Sequence, residues 1–351
     1  MQITPTIPTV VFPHEIDQFT ITDVTADTPI TITLGTTTIL SATLTPTPQG
    51  TIPFTDMAAY ISERMQAIAL DGYTPLTLTI AAAGTTLATT TLRYCTATLT
   101  ATAQDVIRDA FLTTAVAGIK TIPADSCEEY LAWAPQSATE RRQGPLIRAT
   151  WYSPTLHRTA ITEQILPILH KTTHTAIANV SPATLQPPAT GYYLTAYTAT
   201  LAARIMRYQI APTALTQATT PTTLTFTNIF GLADRFYFYG TLTTQVKPTY
   251  TSARIGSATT NYRIEANPTY TATTGPLNPS THALLRDLLT ARQVWMGTTP
   301  VTLTEADYKT TDSPTDIQTA TVTFRRQTEG ITQPDILPHS TFDTTFDYTF
   351  D

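Results

Sequence analysis

The chain has 351 residues, a formal net charge of −6 and a charged fraction of 13%, about half the share of an ordinary soluble domain. Its 42% hydrophobic content excludes an intrinsically disordered chain, the lack of a Gly-X-Y period excludes collagen, and no run of 18 uncharged apolar residues is present to span a membrane. Four lysines and scattered arginines form no basic patch, so no nucleic-acid partner is expected.

Threonine fills the gap left by charge, with about 80 residues in the chain. Its β-branched side chain suits a pleated strand better than a helix, and on an outward face it hydrates without adding charge. Two cysteines, Cys95 and Cys127, are too few for a disulfide scaffold or a four-thiolate zinc site. They read as buried free thiols, with a single bridge as the alternative. Residues Met1 to Pro5 carry neither a positive segment nor a continuous apolar core, so no signal peptide is expected.

Period-2 alternation begins early, with Ile32 and Leu34 set between Thr31 and Thr33. Thr55 is placed to cap a helix through Ala69, whose stripe is Met57, Tyr60, Ile61, Met65 and Ile68. Leu76, Leu78 and Ile80 then alternate with Thr77 and Thr79 as a strand. Thr102 and Asp105 form a capping-box pattern for a short helix through Phe111. Glu128-Glu129 reads as a helix start, because acidic side chains favour that end of the helix dipole. Short strands follow at Leu146 to Trp151 and Tyr192 to Thr198, with Gln186-Pro187-Pro188 as a loop.

The last third opens on Phe226-Thr227-Asn228-Ile229-Phe230-Gly231 and Arg235-Phe236-Tyr237-Phe238-Tyr239-Gly240. Strands around Tyr262 to Tyr270 lead to a helix capped by Ser280 and running through Gln293, with Leu284, Leu285, Leu288 and Leu289 as its buried face. Val294-Trp295-Met296 and the alternating Ala320, Val322 and Phe324 are further strands. The expected class is mainly β, with two or three β-sandwich-like domains and a few short helices. The expected divisions are 1–100, 101–223, 224–328 and an extended docking tail, 329–351. The helices at 55 and 280 sit in similar strand–helix–strand surroundings, which raises the possibility of an internal duplication.

Chemistry-bearing motifs are sparse. His170 and His174 have helical metal-ligand spacing, but Lys171 lies between them and Pro167 makes the helix doubtful. Asp56 with Glu63, and Glu305 with Asp307, show no partner geometry. There is no phosphate-binding glycine loop, no Gly-x-Ser-x-Gly elbow and no cysteine nucleophile signature. The expectation is therefore a protein that is not an enzyme, with no catalytic residue, no metal and no cofactor.

Aromatic residues on both faces of one strand imply burial on both sides, with sheet packing on one face and a subunit or domain contact on the other, and Phe230, Phe236, Phe238 and Tyr239 are read as interface residues. A sugar-stacking platform is the alternative. Phe-Asp recurs at 342/343, 346/347 and 350/351, and Phe342, Phe346 and Phe350 are read as anchors of a segment that docks on a neighbouring subunit.

Three stretches carry a resemblance. Phe226 through Phe238, Gly275-Pro276-Leu277 through Trp295, and the terminal Phe-Asp repeat look like tail or baseplate-type virion structural proteins of phages and prophages infecting Bacteroidetes-type gut bacteria. Phe111-Leu112-Thr113 with Glu129-Tyr130-Leu131 is similar in a weaker way. The resemblance implies a β-rich structural component assembled in symmetric homo-oligomeric rings, in contact with other virion proteins. It also implies a protein located in the virion, assembled in the host cytoplasm and released by lysis. The alternative is a receptor- or glycan-binding adhesin using Trp133, Trp151 and Trp295.

Overall fold

The computed structural model describes residues 1–68, 74–114, 119–123, 128–135, 146–152, 158–165, 168–171, 175–181, 191–197, 203–211, 221–255, 257–277, 279–308, 318–327 and 331–332. The fold is mainly β, with several sheets and short helices, as the alternation of apolar residues and threonine requires.

The N-terminal part contains β1 (Gln2–Thr4), β2 (Val10–Val11), β3 (Phe19–Thr22), β4 (Thr28–Leu34), β5 (Thr37–Leu44), β6 (Ile52–Phe54), helix α1 (Met57–Ile68), β7 (Leu76–Ala82) and β8 (Thr85–Leu92). A three-stranded sheet, β1-β3-β6, and a five-stranded sheet, β2-β8-β7-β4-β5, enclose one core. Register pairs Ile32 with Ile80 and Leu34 with Leu78. All four side chains are buried, whereas Thr31, Thr33, Thr77 and Thr79 between them keep solvent contact.

Helix α1 buries Met57, Ile61 and Met65 as its stripe demands. Its cap is not the expected Thr55. The Ala58 amide donates to the Asp17 carboxylate at 3.1 Å, and the Met57 amide to the Asp17 carbonyl at 3.0 Å. Asp17 follows a single 3-10 turn (Pro13–Ile16), so an acidic group distant in sequence satisfies amides that a local threonine was expected to satisfy.

The middle part begins with α2 (Ala103–Asp109). Here the expected capping residues hold: the Asp105 amide donates to Thr102 Oγ1 at 3.2 Å, and the Thr102 hydroxyl to Asp105 Oδ2 at 2.7 Å. The helix stops at Asp109, short of Phe111, because Ala110 is extended. There follow β9 (Ile119–Ile122), β10 (Tyr130–Trp133), β11 (Leu146–Tyr152), β12 (Arg158–Ile165), β13 (Ile168–Lys171), β14 (Ala176–Asn179), β15 (Gly191–Tyr197) and β16 (Ala203–Ile210). They form a five-stranded sheet, β12-β11-β15-β16-β9, and a three-stranded sheet, β10-β14-β13. Glu128-Glu129 therefore opens a strand, β10, and not the helix its charge suggested.

The C-terminal part contains β17 (Thr222–Thr227), β18 (Ala233–Phe238), β19 (Leu242–Ile255), β20 (Ala258–Thr273), α3 (Pro279–Thr290), β21 (Val294–Met296), β22 (Thr299–Tyr308), β23 (Ala320–Arg326) and β24 (Ile331–Thr332). One sheet runs β18-β17-β21-β22-β23-β20-β19, with β24 on the flank of β20. Helix α3 starts at Pro279, so Ser280 lies inside its first turn and is not its cap; proline suits that position because its missing N–H would have no helical partner there. Leu284, Leu285 and Leu288 are buried as expected.

The expected boundary at 223 falls within a single core, since Trp133, Met206, Phe226, Phe236, Leu285 and Phe324 belong to one cluster. A smaller cluster, including Phe12, Cys95, Val106, Leu112 and Phe230, joins this core to the N-terminal part. The duplication does not hold. After α1, β7 returns to β4, whereas after α3, β21 inserts between β17 and β22 and the long hairpin pairs with β23.

Candidate functional site

The aromatic strand is covered on both sides, as its composition requires, but the cover comes from this chain. Phe230, Phe236, Phe238 and Tyr239 are each at most 8% exposed, packed with the shared cores and, for β18, against α3. Of the subunit and domain contacts expected at these four residues, the cover described here is a contact within the chain. The physical reason is the shared core itself: the middle part and α3 occupy the faces that a neighbouring copy was expected to fill. Phe342, Phe346 and Phe350 lie outside the described residues.

The sugar-binding aromatics fare similarly. Trp133 is 1% exposed and unavailable to a ligand, and Trp295 is half-buried. Trp151 lies in β11, and its side chain is outside the described set. His170 sits in β13 opposite Ile177, a strand position where a residue four further on shares no helical face with it; His174 lies outside the described residues. Among the described residues no group of three His, Cys, Asp or Glu is placed to hold a metal. Cys95 is a buried free thiol, and burial pushes it up to about 12; Cys127 lies outside the described residues.

Three elements bring together a cluster that the sequence did not announce. Lys120 points inward from β9 on the same side as Ile122. Its ammonium lies 2.6 Å from Glu129 Oε1 and 2.8 Å from Asp234 Oδ1, and all three side chains are at most 6% exposed. The Tyr237 hydroxyl donates to Glu129 Oε2 at 2.9 Å, and the Thr113 hydroxyl to Asp234 Oδ2 at 2.5 Å. The Glu129 amide is held by Ser181 Oγ at 2.8 Å.

Burial pulls the Lys120 ammonium down, but the charges of Asp234 and Glu129 outweigh it and leave the group above its ordinary value. Burial raises the Glu129 carboxyl above the usual range, Lys120 opposes that, and the Asp234 charge adds to it. One cation facing two acids reaches neutrality when one acid keeps a proton, which agrees with these directions. A lysine held protonated in this way is no nucleophile. The cluster is a cross-brace between β9, β10 and β18.

A cavity of about 320 Å³ adjoins this brace, lined by Leu112, Thr113, Tyr130, Ile177, Asp234 and Arg235 among others. At its rim the Arg235 guanidinium lies 4.7 Å from the Tyr130 ring centroid and 3.2 Å from the Glu128 carboxylate. A wider cleft of about 950 Å³ is lined in part by Phe111, Thr114, Ile229 and Asp287. Burial raises Asp287 to about 7, against hydrogen bonds from the Ile229 amide at 3.3 Å and the Thr114 hydroxyl at 3.0 Å.

An exposed feature among the described residues is the hairpin β19–β20, with strands of 14 and 16 residues. Every residue from Thr241 to Tyr250 is exposed, including Leu242, Val246 and Tyr250 at 43%, 48% and 55%. Register places Leu242 opposite Ala272, Val246 opposite Pro268, Pro248 opposite Ala266 and Tyr250 opposite Ile264. Those pairs share one face. Thr243, Gln245 and Lys247, opposite Thr271, Thr269 and Asn267, share the other. β23 covers only the base of β20, from Tyr270 to Thr273. The arm is two-faced, and its exposed apolar side chains are those of β19; on β20, Pro268 and Ala272 are buried and Ile264, Ala266 and Tyr270 half-buried. The sequence showed its alternation, but nothing in one strand says that the apolar face will project beyond the sheet.

No family model and no curated protein matches this sequence. Among solved structures the chain is similar to the plexin A4 extracellular region at 8% identity, over 93% of this chain and 36% of that one, with a TM-score of 0.20. A likeness at that score carries no argument about fold or function.

Proposed function

We propose that this chain is a structural subunit that works by homo-oligomeric assembly, as a component of the tail or baseplate region of a phage or phage-like particle. The observation that carries the assembly reading is the β19–β20 arm, on which Leu242, Val246 and Tyr250 of β19 stay exposed along one face. A row of large apolar side chains left exposed on the edge strand of a sheet calls for a partner surface. The resemblance of 226–238, 275–295 and the Phe-Asp repeat to virion proteins supports the particle setting, and with it a place in the virion among neighbouring structural proteins. The adhesin reading loses one of its three aromatics with the burial of Trp133.

Sedimentation velocity and negative-stain microscopy of the purified full-length chain test the assembly. Closed oligomers at micromolar concentration are expected, and a dispersed monomer would overturn the reading. Mass spectrometry of purified particles from a producing host tests the setting; particles that lack the chain would overturn it.

A further inference from the structure

We infer that the apolar face of the β19–β20 arm is the receptor for the 341–351 segment of a neighbouring copy. The inference rests on the proposed assembly, and it names the surface and the occupant.

Spacing is the first support. The large apolar side chains of β19 recur every four residues, at Leu242, Val246 and Tyr250, all exposed and all on one face. The phenylalanines of the terminal segment recur at the same interval, at 342, 346 and 350. In an extended chain, Phe342, Thr344, Phe346, Tyr348 and Phe350 would share one side, and Asp343, Asp347 and Asp351 the other. Four residues of strand advance about 13 Å, so anchors on an extended segment would meet anchors on β19 along its length.

Charge is the second support. Residues 242–273 carry Lys247, Arg254 and Arg263 against the single acid Glu265, whereas 341–351 carries three aspartates and no base. Lys247 and Arg263 stand on the polar face and the aspartates on the far side of the docked segment, so opposite signs favour the encounter and do not contribute contacts within the docked face.

Area and reach agree. Three phenylalanines and a tyrosine would bury about 600–1,000 Å² on one side, near the roughly 800 Å² per partner of a stable interface. Pro248 has no N–H to offer an added strand on this edge, so docking across the face, and not extension of the sheet, carries the affinity. β24 pairs antiparallel with β20 at Glu265 and Ala266, so β24 itself points toward the far end of the arm, about 27 Å on. Phe342 is ten residues past Thr332, and ten residues span at most about 33 Å, more than the length of arm that remains.

The test mixes two full-length proteins in a Cys127→Ser background, one carrying Val246→Cys and the other Phe346→Cys, under mild oxidation. A disulfide-linked pair of the two variants is expected, with at least a fivefold lower yield when Gln245→Cys, on the opposite face, replaces Val246→Cys. Equal yields from positions 245 and 246, no cross-link at all, or a double variant that closes only within one chain would each overturn the inference. Sedimentation of the same samples separates the two levels: an oligomer without the cross-link overturns the docking alone, and a monomer overturns the assembly as well.

Discussion

Replacing Lys120 with methionine removes the only cation among the described residues that is bonded to Glu129 and Asp234, whose oxygens lie 2.6 and 2.8 Å from its ammonium with all three groups buried. Methionine fills a similar volume, so the loss is electrostatic and not a cavity. Breaking a buried pair by deleting one partner costs about 3–5 kcal/mol. That is a large part of the roughly 5–15 kcal/mol that holds a typical domain together. Urea unfolding followed by tryptophan fluorescence, to which buried Trp133 on β10, four residues after Glu129, contributes with Trp151 and Trp295, reads the change.

The pH dependence supplies the sign. Glu129 already holds its proton more tightly in the folded chain than in the unfolded one, so its contribution is present at low pH and is lost as pH rises through the folded value. Without Lys120 that folded value climbs further. The penalty of Lys120→Met is therefore expected to be smaller at pH 5 than at pH 8. Lys120→Met combined with Glu129→Gln and Asp234→Asn is expected to regain at least half of the loss. A single variant within 1 kcal/mol of the parent at pH 8, on the scale of a neutral surface change, would refute the reasoning. So would an equal penalty at both pH values.

Three further outcomes follow from the same geometry. A Cβ added at Gly240 would lie 2.7 Å from the Thr273 carbonyl oxygen, at the joint between β18 and the arm, so Gly240→Ala is expected to cost about 1–3 kcal/mol in urea unfolding. Asp287→Asn keeps an oxygen for the Ile229 amide and the Thr114 hydroxyl but removes a carboxyl raised to about 7. The parent should lose stability at up to about 1.4 kcal/mol per pH unit as pH rises from 4 toward 7, and the variant should lack that slope when urea midpoints are compared at pH 5 and 7. Asp17→Ala is expected to cost about 1 kcal/mol through the uncapped start of α1, whereas Thr55→Ala should leave the midpoint unchanged.

The strands were legible because their signal is local. Alternation at Ile32, Leu34, Leu78 and Ile80 states which side chains turn inward, and the sheets obey it. The capping box at Thr102 was legible for the same reason, since donor and acceptor lie three residues apart. The cap of α1 was not, because Asp17 reaches it from another element. The brace was missed because its members are 9 and 114 residues apart along the chain. One sign was available: Lys120 and Ile122 share a strand face, and a lysine on an inward face must find acids. For the aromatic strand, composition showed that both faces are buried but could not say whose atoms bury them. A neighbouring copy and the same chain's helix α3 look alike from within Phe236 to Tyr239.

The turn ending at Asp17 has a bearing on how the chain reaches its native state. Glu15 uses one carboxylate oxygen for the Phe12 amide at 2.7 Å and the other for the Ala103 amide at 3.0 Å, while Asp17 serves the start of α1. Both helices thus borrow their first hydrogen-bond acceptors, in whole or in part, from one short loop near the start of the chain. A peptide spanning α1 alone lacks that acceptor and should stay largely uncoiled in water, since a twelve-residue helix nucleates poorly without help. Helix formation in the first half of this protein is therefore tied to long-range closure, which ranks it among slow-maturing folds and makes clipping of the first seventeen residues more damaging than their few apolar atoms suggest.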